Sequence, residues 1–244
     1  MHKSSFFDNL NKSCLHTLLH MESIVISIGG SVIFSEEADI DFFKKLKLLI
    51  DKISKNFKIF LIVGGGKTAR NYINLGRKYN LKENKLDEIG IEITRVNAKL
   101  FANILGIPIK QIPSTTDEAK KLNSSIVVMG GTTPGHSTDM VGAELAEKIK
   151  ASKLVIATNV DGIFDKDPNK YNDAKQIKEI SIKQLLEKFG DKWDSAGKNI
   201  VIDGPALKII GRAKMPTFVI NGKNLVQLEK VLTNQKFEGT IINI

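Results

Sequence analysis

Short apolar runs of strand length alternate along the chain with longer stretches in which apolar residues recur at helical spacing. The runs predict β-strands at residues 24–28, 59–63, 107–112, 126–129, 154–157, 217–220 and 240–244. The helical spacing predicts helices at residues 41–55, from the glycines at 64–66 to residue 79, and at 86–105. Near-continuous apolar strands separated by helices are typical of a parallel sheet covered on both faces. The pattern therefore predicts a three-layer α/β/α sandwich with a mainly parallel central sheet.

Three of the predicted strands end in glycine clusters, at residues 29–30, 64–66 and 130–131. A strand that ends in glycines and opens into a helix exposes backbone N–H groups, and the missing Cβ atoms let an anion approach them. One glycine pair alone would indicate no more than a tight turn. Because ligands bind at the carboxyl ends of parallel strands, three such clusters predict a site for more than one phosphate group. The P-loop and G-x-G-x-x-G spacings are both absent from the sequence, which argues against those two classes.

The loop at residues 130–139 is the richest in hydrogen-bond donors, and it leads directly into a predicted helix. Ser137 or Thr138 can cap that helix, whose N-terminus would attract a monophosphate. Asp139 stands in the first turn, where a carboxylate complements the helix dipole. His136 has no second metal ligand beside it, so we interpret it as a hydrogen-bonding or structural group.

Composition and charge narrow the class of protein. The chain of 244 residues, 42% of them hydrophobic, is long enough to bury the core of one large domain. Its net charge of +9 suits anionic partners, and because acidic residues interleave with the lysines we expect nucleotides rather than nucleic acid. No apolar stretch approaches the roughly 18 residues that span a bilayer, so no membrane partner is expected. The single cysteine, Cys14, excludes an internal disulfide and predicts a cytoplasmic location.

The first 20 residues differ from the rest of the sequence. They contain three of the four histidines and precede a second methionine, Met21. We therefore expect an N-terminal extension or leader at residues 1–20 and a single domain over residues 21–244. A secretory signal is disfavoured because histidines interrupt the short apolar stretch.

Six segments together resemble the amino acid kinase superfamily, and within it most closely the archaeal-type UMP kinases. They are IGGS (28–31), VGGGKTAR (63–70), IGIEITR (89–95), GGTTPGHSTD (130–139), TNVDGIF (158–164) and VID (201–203). The resemblance spans residues 21–244 and implies transfer of the γ-phosphate of ATP to UMP in pyrimidine nucleotide biosynthesis. It implies that residues 21–152 bind UMP, that residues 153–244 bind ATP, that Mg²⁺ accompanies ATP, and that the chain forms a homohexamer.

The resemblance also implies a role for each matching position. The implied catalytic residues are Lys208, Asp139 and Lys67, with one of the lysines directed at the transferring phosphoryl group and Asp139 as an organiser. The implied ATP-binding positions are Ser27, Ile28, Gly29, Gly30, Ser31, Gly66, Arg70, Thr158, Asn159, Phe164 and Asp167. The implied UMP-binding positions are Gly65, Asp87, Thr132, Thr133, Pro134, Gly135, His136, Ser137 and Thr138. No residue is assigned as a metal ligand, since Mg²⁺ would be held largely by nucleotide phosphates and water.

Three positions depart from the family pattern. Ser27 stands where many members carry a lysine, Thr133 replaces a histidine, and Phe164 replaces a tyrosine while keeping a stacking surface. Carbamate, acetylglutamate and isopentenyl phosphate kinases remain alternatives within the fold, although Lys67 stands where a terpenoid phosphate would call for a histidine. Outside the enzymes, the alternative is a non-catalytic protein that binds oxyanions, and for such a protein both lysines would be solvated surface residues.

Overall fold

The computed structural model describes residues 21–34, 39–108, 111–189 and 202–244. The extension expected at residues 1–20, and Val201 of one family segment, lie outside the described residues. The strands are β1 (Glu22–Ile28), β2 (Phe57–Val63), β3 (Ile126–Met129), β4 (Lys153–Thr158), β5 (Ile163–Phe164), β6 (Gln176–Ile177), β7 (Glu179–Ser181), β8 (Thr217–Asn221) and β9 (Thr240–Asn243).

The helices of the described ranges connect many of these strands. They are α1 (Gly30–Ile33), α2 (Ile40–Ile53), α3 (Gly66–Lys78), α4 (Glu83–Ile104), α5 (Thr116–Lys121), α6 (Thr138–Ile149), α7 (Ile182–Phe189), α8 (Gly204–Ala213) and α9 (Leu225–Leu232). Among these, no helix is long and apolar enough to cross a bilayer.

One seven-stranded sheet, in the order β3-β2-β1-β4-β8-β9-β7, forms the centre of the described structure. Strand β1 is parallel to both of its neighbours, so Ile28 stands opposite Val63 of β2 and Ala157 of β4. Strand β3 continues this parallel arrangement beside β2, and β8 and β9 form an antiparallel pair. The prediction of a mainly parallel sheet is confirmed. The parallel register also brings the ends of β1 to β4, and the glycine clusters that follow three of them, to one side of the sheet, which we call the carboxyl edge.

Two apolar clusters lie on opposite faces of the sheet because successive side chains of a strand point to opposite faces. Ile24 and Ile26 of β1 belong to one cluster, with buried residues of α2, α4 and α9. Val25 belongs to the other cluster, with buried residues of α6 and α8. Helices therefore cover both faces, and the predicted α/β/α sandwich is confirmed. Burial on both faces is also the reason why the strands read as continuous apolar runs.

The strand predicted at residues 107–112 is wrong for the part that the structure describes. Ile107 and Pro108 lie outside any strand, as do residues 111–112, while 109–110 lie outside the described residues. Proline lacks the N–H that a sheet ladder requires, and Pro108 lies within this segment while Pro113 directly follows it. Ile107 is buried because its N–H donates to the carbonyl of Ala102 at 2.9 Å and folds the chain back against the end of α4.

Candidate active site

The first two glycine turns contact each other through their backbones at the carboxyl edge. A Cβ atom on Gly30 would lie 2.2 Å from the nitrogen of Gly66 and 2.5 Å from the carbonyl oxygen of Gly64. A Cβ on Gly66 would lie 2.8 Å from the carbonyl of Gly30. No side chain fits at these distances, so glycine is required for the turns to meet. The contact sets the start of α1 beside the start of α3.

The turn after β2 has the backbone geometry of an anion-binding nest. Gly65 is right-handed, with φ −78° and ψ −25°, and Gly66 is left-handed, with φ +64°. A right-handed residue followed by a left-handed one gathers successive N–H groups into a concave donor surface. Gly66 is also the first residue of α3, so the partial positive charge of that helix end adds to the donors. We call Gly65 and Gly66 the glycine nest, and its chemistry suits a phosphate group.

Other glycine N–H groups of the three clusters have partners within the protein. The N–H of Gly29 donates to the carbonyl of Ala157 at 2.9 Å, and that of Gly64 donates to Ile28 at 3.0 Å, so both continue the sheet ladder. The N–H of Gly131 donates to the hydroxyl of Thr94 at 2.6 Å. The sequence-based expectation that the clusters present backbone donors to an anion therefore does not extend to these three N–H groups.

Helix α4 holds the loop between β3 and α6 in place through three side chains. Thr94 binds Gly131 as described, and the Arg95 guanidinium donates to the carbonyls of Gly131 at 3.3 Å and Thr132 at 3.5 Å. The carboxylate of Asp87 accepts the N–H of Gly135 at 2.7 Å, where φ is +82°. Asp87 was a predicted UMP contact, and the structure places it beside the predicted UMP loop. Thr94 and Arg95 received no individual role from the sequence, although both end the IGIEITR segment.

Two polar atoms of this loop are buried without a hydrogen-bond partner among the described residues, Thr132 Oγ1 and His136 Nδ1. His136 Nδ1 lies 3.3 Å from Glu144 Oε1, but the two groups are not aligned as a hydrogen bond. A buried polar group without a partner costs free energy. Both atoms belong to the predicted UMP loop.

A pair of helix caps links the loop to helix α8. Ser137 caps α6 by accepting the N–H of Met140 at 3.0 Å, and its hydroxyl donates to the carboxylate of Asp203. Asp203 caps α8 by accepting the N–H of Ala206 at 2.9 Å. The starts of α6 and α8 are therefore held together, and α8 carries the exposed Lys208. Asp203 received no individual role from the sequence, although it ends the VID segment.

Asp139 and Ser27 form a polar contact between α6 and the central strand. The Ser27 hydroxyl, which is only 1% exposed, donates to Asp139 Oδ1 at 2.6 Å. Burial of the Asp139 carboxyl raises its pKa to about 7, against the Ser27 hydrogen bond, which lowers it, and with the charge of Asp203, which raises it further. Part of the Asp139 residue still reaches solvent. The Ser27 hydroxyl is thus occupied by Asp139, and its predicted contact with ATP stays a prediction.

The remaining predicted positions lie on α3, near the ends of β1 and β4, in the β5–β6 hairpin and the turn after β5, and in the loop before α6. Lys67 is exposed and Arg70 is half-buried, both on α3. Thr158 ends β4, Phe164 lies in the β5–β6 hairpin, and Asp167 begins a turn in which its carboxylate accepts the N–H of Asn169 at 3.0 Å. The others are Ile28 at the end of β1, Ser31 in α1, exposed Asn159 after β4, and Thr133, Pro134 and Thr138 in the predicted UMP loop or at the start of α6.

The donor set at the carboxyl edge suits phosphate rather than a cage for a metal ion. Backbone N–H groups, hydroxyls and lysines are anion donors, and among the residues in the described ranges no group of three or more His, Cys, Asp or Glu could hold a metal. Such a site fits Mg²⁺ that is bound through nucleotide phosphates and water.

Comparison with known proteins identifies one family and several similar proteins. A family profile described as the Amino acid kinase family matches residues 22–221. A protein named uridylate kinase from Methanococcus aeolicus is 45% identical over 226 residues, which cover 90% of this chain and 99% of that protein. Another protein of that name, from Methanobrevibacter smithii, is 40% identical over 223 residues, with 90% and 99% covered.

Solved structures share the architecture. The crystal structure of uridylate kinase from Archaeoglobus fulgidus aligns with a TM-score of 0.78 and 38% identity, over 91% of this chain and 100% of that one. The crystal structure of UMP kinase from Bacillus anthracis aligns with a TM-score of 0.74 over 91% and 96% of the two chains. At 19% identity the second match shows a shared fold alone.

Proposed function

The chain belongs to the amino acid kinase family, and we propose on this premise that it is a nucleoside monophosphate kinase that converts UMP and ATP into UDP and ADP. A phosphate oxygen of UMP attacks the γ-phosphorus of ATP, a new P–O bond forms, and the bond to the β-phosphate oxygen breaks to release ADP. The relatives of about 40% identity that carry the name uridylate kinase support this choice of acceptor.

The observation that carries the proposal is the meeting of the first two glycine turns at the carboxyl edge. Phosphoryl transfer is accelerated mainly by positioning the two substrates and by neutralising charge on the transferring group. The glycine nest offers oriented backbone donors, and the approach of Gly30 to Gly66 leaves no side chain between the two turns. Such donors stabilise charge that develops on phosphate oxygens without reorganising during the reaction.

Each half of the chain has a proposed role. Residues 21–152 bind UMP through Asp87 and the loop that runs from Thr132 to Thr138, while residues 153–244 bind the adenine nucleotide near Thr158 and Phe164. Mg²⁺ accompanies ATP and supplies further neutralisation of phosphate charge. Lys208 and Lys67 are proposed to neutralise negative charge on the transferring phosphoryl group. The Ser137–Asp203 contact supports Lys208 indirectly because it fixes the start of α8.

We also propose that the protein acts in the cytoplasm, in pyrimidine nucleotide synthesis, as a homohexamer. An apolar stripe on α4 supports self-association, since Val96, Leu100 and Ile104 are spaced four residues apart and are 62%, 49% and 41% exposed. Light scattering of the Leu100→Asp variant tests this stripe, with Leu48→Asp on α2, where the leucine is 70% exposed, as the matched control. We expect the first variant alone to dissociate into smaller species, and an unchanged mass would contradict the proposed interface.

Coupled ADP release with Mg·ATP tests the function, with UMP, CMP, carbamate, acetylglutamate and isopentenyl phosphate compared in parallel. We expect turnover with UMP to exceed turnover with every other acceptor. A higher rate with another acceptor would leave the family assignment unchanged and would show that UMP is not the preferred acceptor. Binding of ATP and UMP without turnover by the intact protein would support the non-catalytic alternative instead.

A further inference from the structure

Asn97 is a buried polar residue on α4 that none of the assigned roles explains. It is 8% exposed, and its side-chain amide donates two hydrogen bonds, to the carbonyl of Gly64 at 3.0 Å and to the carbonyl of Gly65 at 3.1 Å. An amide group carries two N–H donors, so one side chain can satisfy both carbonyls. Burial of such a group is costly unless it is paired, which indicates that its contact with the glycine turn is specific.

The two carbonyls that Asn97 holds belong to the peptide units that form the glycine nest. In a trans peptide, the carbonyl of one residue and the N–H of the next point in opposite directions. Every peptide bond in the described ranges is trans. By holding the carbonyls of Gly64 and Gly65 toward α4, Asn97 therefore turns the N–H groups of Gly65 and Gly66 away from α4.

Glycine turns need such an external hold because the backbone of glycine visits right-handed and left-handed conformations with similar ease. A rotation of either peptide plane would exchange its N–H for its carbonyl and would present an acceptor, rather than a donor, to a phosphate. Asn97 stabilises a nest in which right-handed Gly65 is followed by left-handed Gly66, where φ is +64°. A fixed orientation before the substrate arrives is what makes backbone donors effective in catalysis.

We propose that Asn97 is a positioning residue of the phosphoryl-transfer site, which aims the N–H groups of Gly65 and Gly66 at the nucleotide phosphates. It acts through the backbone and does not touch the substrates. The identity of the phosphates rests on the proposed function, whereas the geometry of the nest does not.

The variant Asn97→Asp tests this assignment because it keeps the shape of the side chain and replaces its donors with a carboxylate that repels both carbonyls. We expect kcat to fall about 100-fold at pH 8, as for the loss of an oxyanion donor. The affinity for ATP should fall at least about 10-fold while the affinity for adenosine, which has no phosphates, changes less than about 2-fold. Lowering the pH should recover part of the activity, since a protonated carboxyl again donates one hydrogen bond and burial favours its protonation.

Asn103→Asp is the matched control, because Asn103 lies on the same helix and its amide donates to the carbonyl of Lys99 at 2.7 Å rather than to a glycine turn. We expect that variant to keep its ATP affinity and kcat within about 2-fold. If Asn97→Asp does not fold, Asn97→Leu removes both amide donors without adding charge, and the same two affinities apply to it. The carbonyl of Gly65 then keeps only the N–H of Ala69, at 3.3 Å. Calorimetry measures both ligands without turnover, so an inactive parent protein would refute the proposed function while the role of Asn97 is still tested.

Equal losses of ATP and adenosine affinity in a folded Asn97 variant would overturn the proposal, because they would reveal a general structural role. An unchanged kcat and ATP affinity would overturn it as well.

Discussion

Replacement of Asp139 by asparagine should stabilise the protein above pH 7 while it impairs the reaction. The pKa of Asp139 rises from 3.8 to about 7 in the fold, so the folded protein binds a proton more tightly than the unfolded chain does. The stability that this proton provides is complete below about pH 4 and is lost as the pH rises through 7. Above pH 7, the fold therefore holds an ionised carboxyl in a place that favours a neutral one.

The free-energy cost follows from the size of the pKa change. At about 1.4 kcal/mol per pKa unit, the rise from 3.8 to about 7 corresponds to about 4 kcal/mol at pH 8. Part of the residue reaches solvent, so we expect about half of this cost, or about 2 kcal/mol. Asparagine is neutral and of the same shape, and its side-chain oxygen can still accept the hydroxyl of Ser27.

Urea unfolding of the parent and Asp139→Asn at pH 8 and pH 5 measures the effect at a single protein concentration. A gain of about 2 kcal/mol shifts the midpoint upward by about 1 M urea for m of about 2 kcal/mol/M. The gain should shrink as the pH is lowered, because the parent then regains its proton. Asp41→Asn removes the same charge at an exposed site and should change stability by less than about 1 kcal/mol at both pH values.

An Asp139→Asn variant that is less stable than the parent at pH 8, or a gain that does not depend on pH, would refute this reasoning. The effect of Asp139→Asn on the reaction is a prediction separate from the effect on stability. We expect kcat to fall by orders of magnitude if Asp139 organises the site, since active sites often sacrifice stability for function.

Three further predictions concern the carboxyl edge and the scaffold. Gly66→Ala places a Cβ 2.8 Å from the carbonyl of Gly30 at φ +64°, so we expect the loss of at least about 1 kcal/mol of stability and most of the activity. The control for the φ penalty alone is Gly106→Ala, at φ +67°, where the nearest atom beyond the adjacent residues is Lys47 Nζ, 3.7 Å from the Cβ position. Similar activity losses in the two variants would argue against a special role for the glycine contact. Lys153→Met should lower the free energy of unfolding by about 1–3 kcal/mol without changing KM. The reason is that the buried ammonium donates to the carbonyl of Val231 at 3.0 Å and to Asn234 Oδ1 at 2.7 Å. A change in KM would contradict a purely structural role. Asp203→Ala removes the cap of α8 and the partner of the Ser137 hydroxyl, so kcat should fall more than the affinity for ATP, and equal changes would argue against a link to Lys208.

The sequence predicts the sheet well because burial on both faces leaves a plain signal in the chain. The buried stretches of β1 and β2, residues 24–28 and 59–63, are apolar at nearly every position, and helical spacing marks the helices that cover them. The same signal fails at Ile107, where an apolar residue is buried by the end of a helix rather than by a sheet. Apolar residues alone do not distinguish these two kinds of burial.

The side chains that hold the site in place could not be predicted from the sequence, for a different reason. Asn97 binds a turn more than thirty residues earlier in the chain, and Thr94 binds a turn more than thirty residues later. Thr94 belongs to the IGIEITR segment, but the sequence assigns neither residue a contact, since a single Asn or Thr on a helix is more often solvated. The glycines themselves could be found because their backbone requirements are local, whereas the side chains that orient them are brought close only by the fold.

Direct observation of the products tests the central claim best. ³¹P NMR of a mixture of UMP, Mg·ATP and the protein should show UDP and ADP appearing in equal amounts, with the Gly66→Ala variant much slower than the parent. Consumption of ATP without the appearance of UDP, or no change in either nucleotide although both bind, would contradict the account.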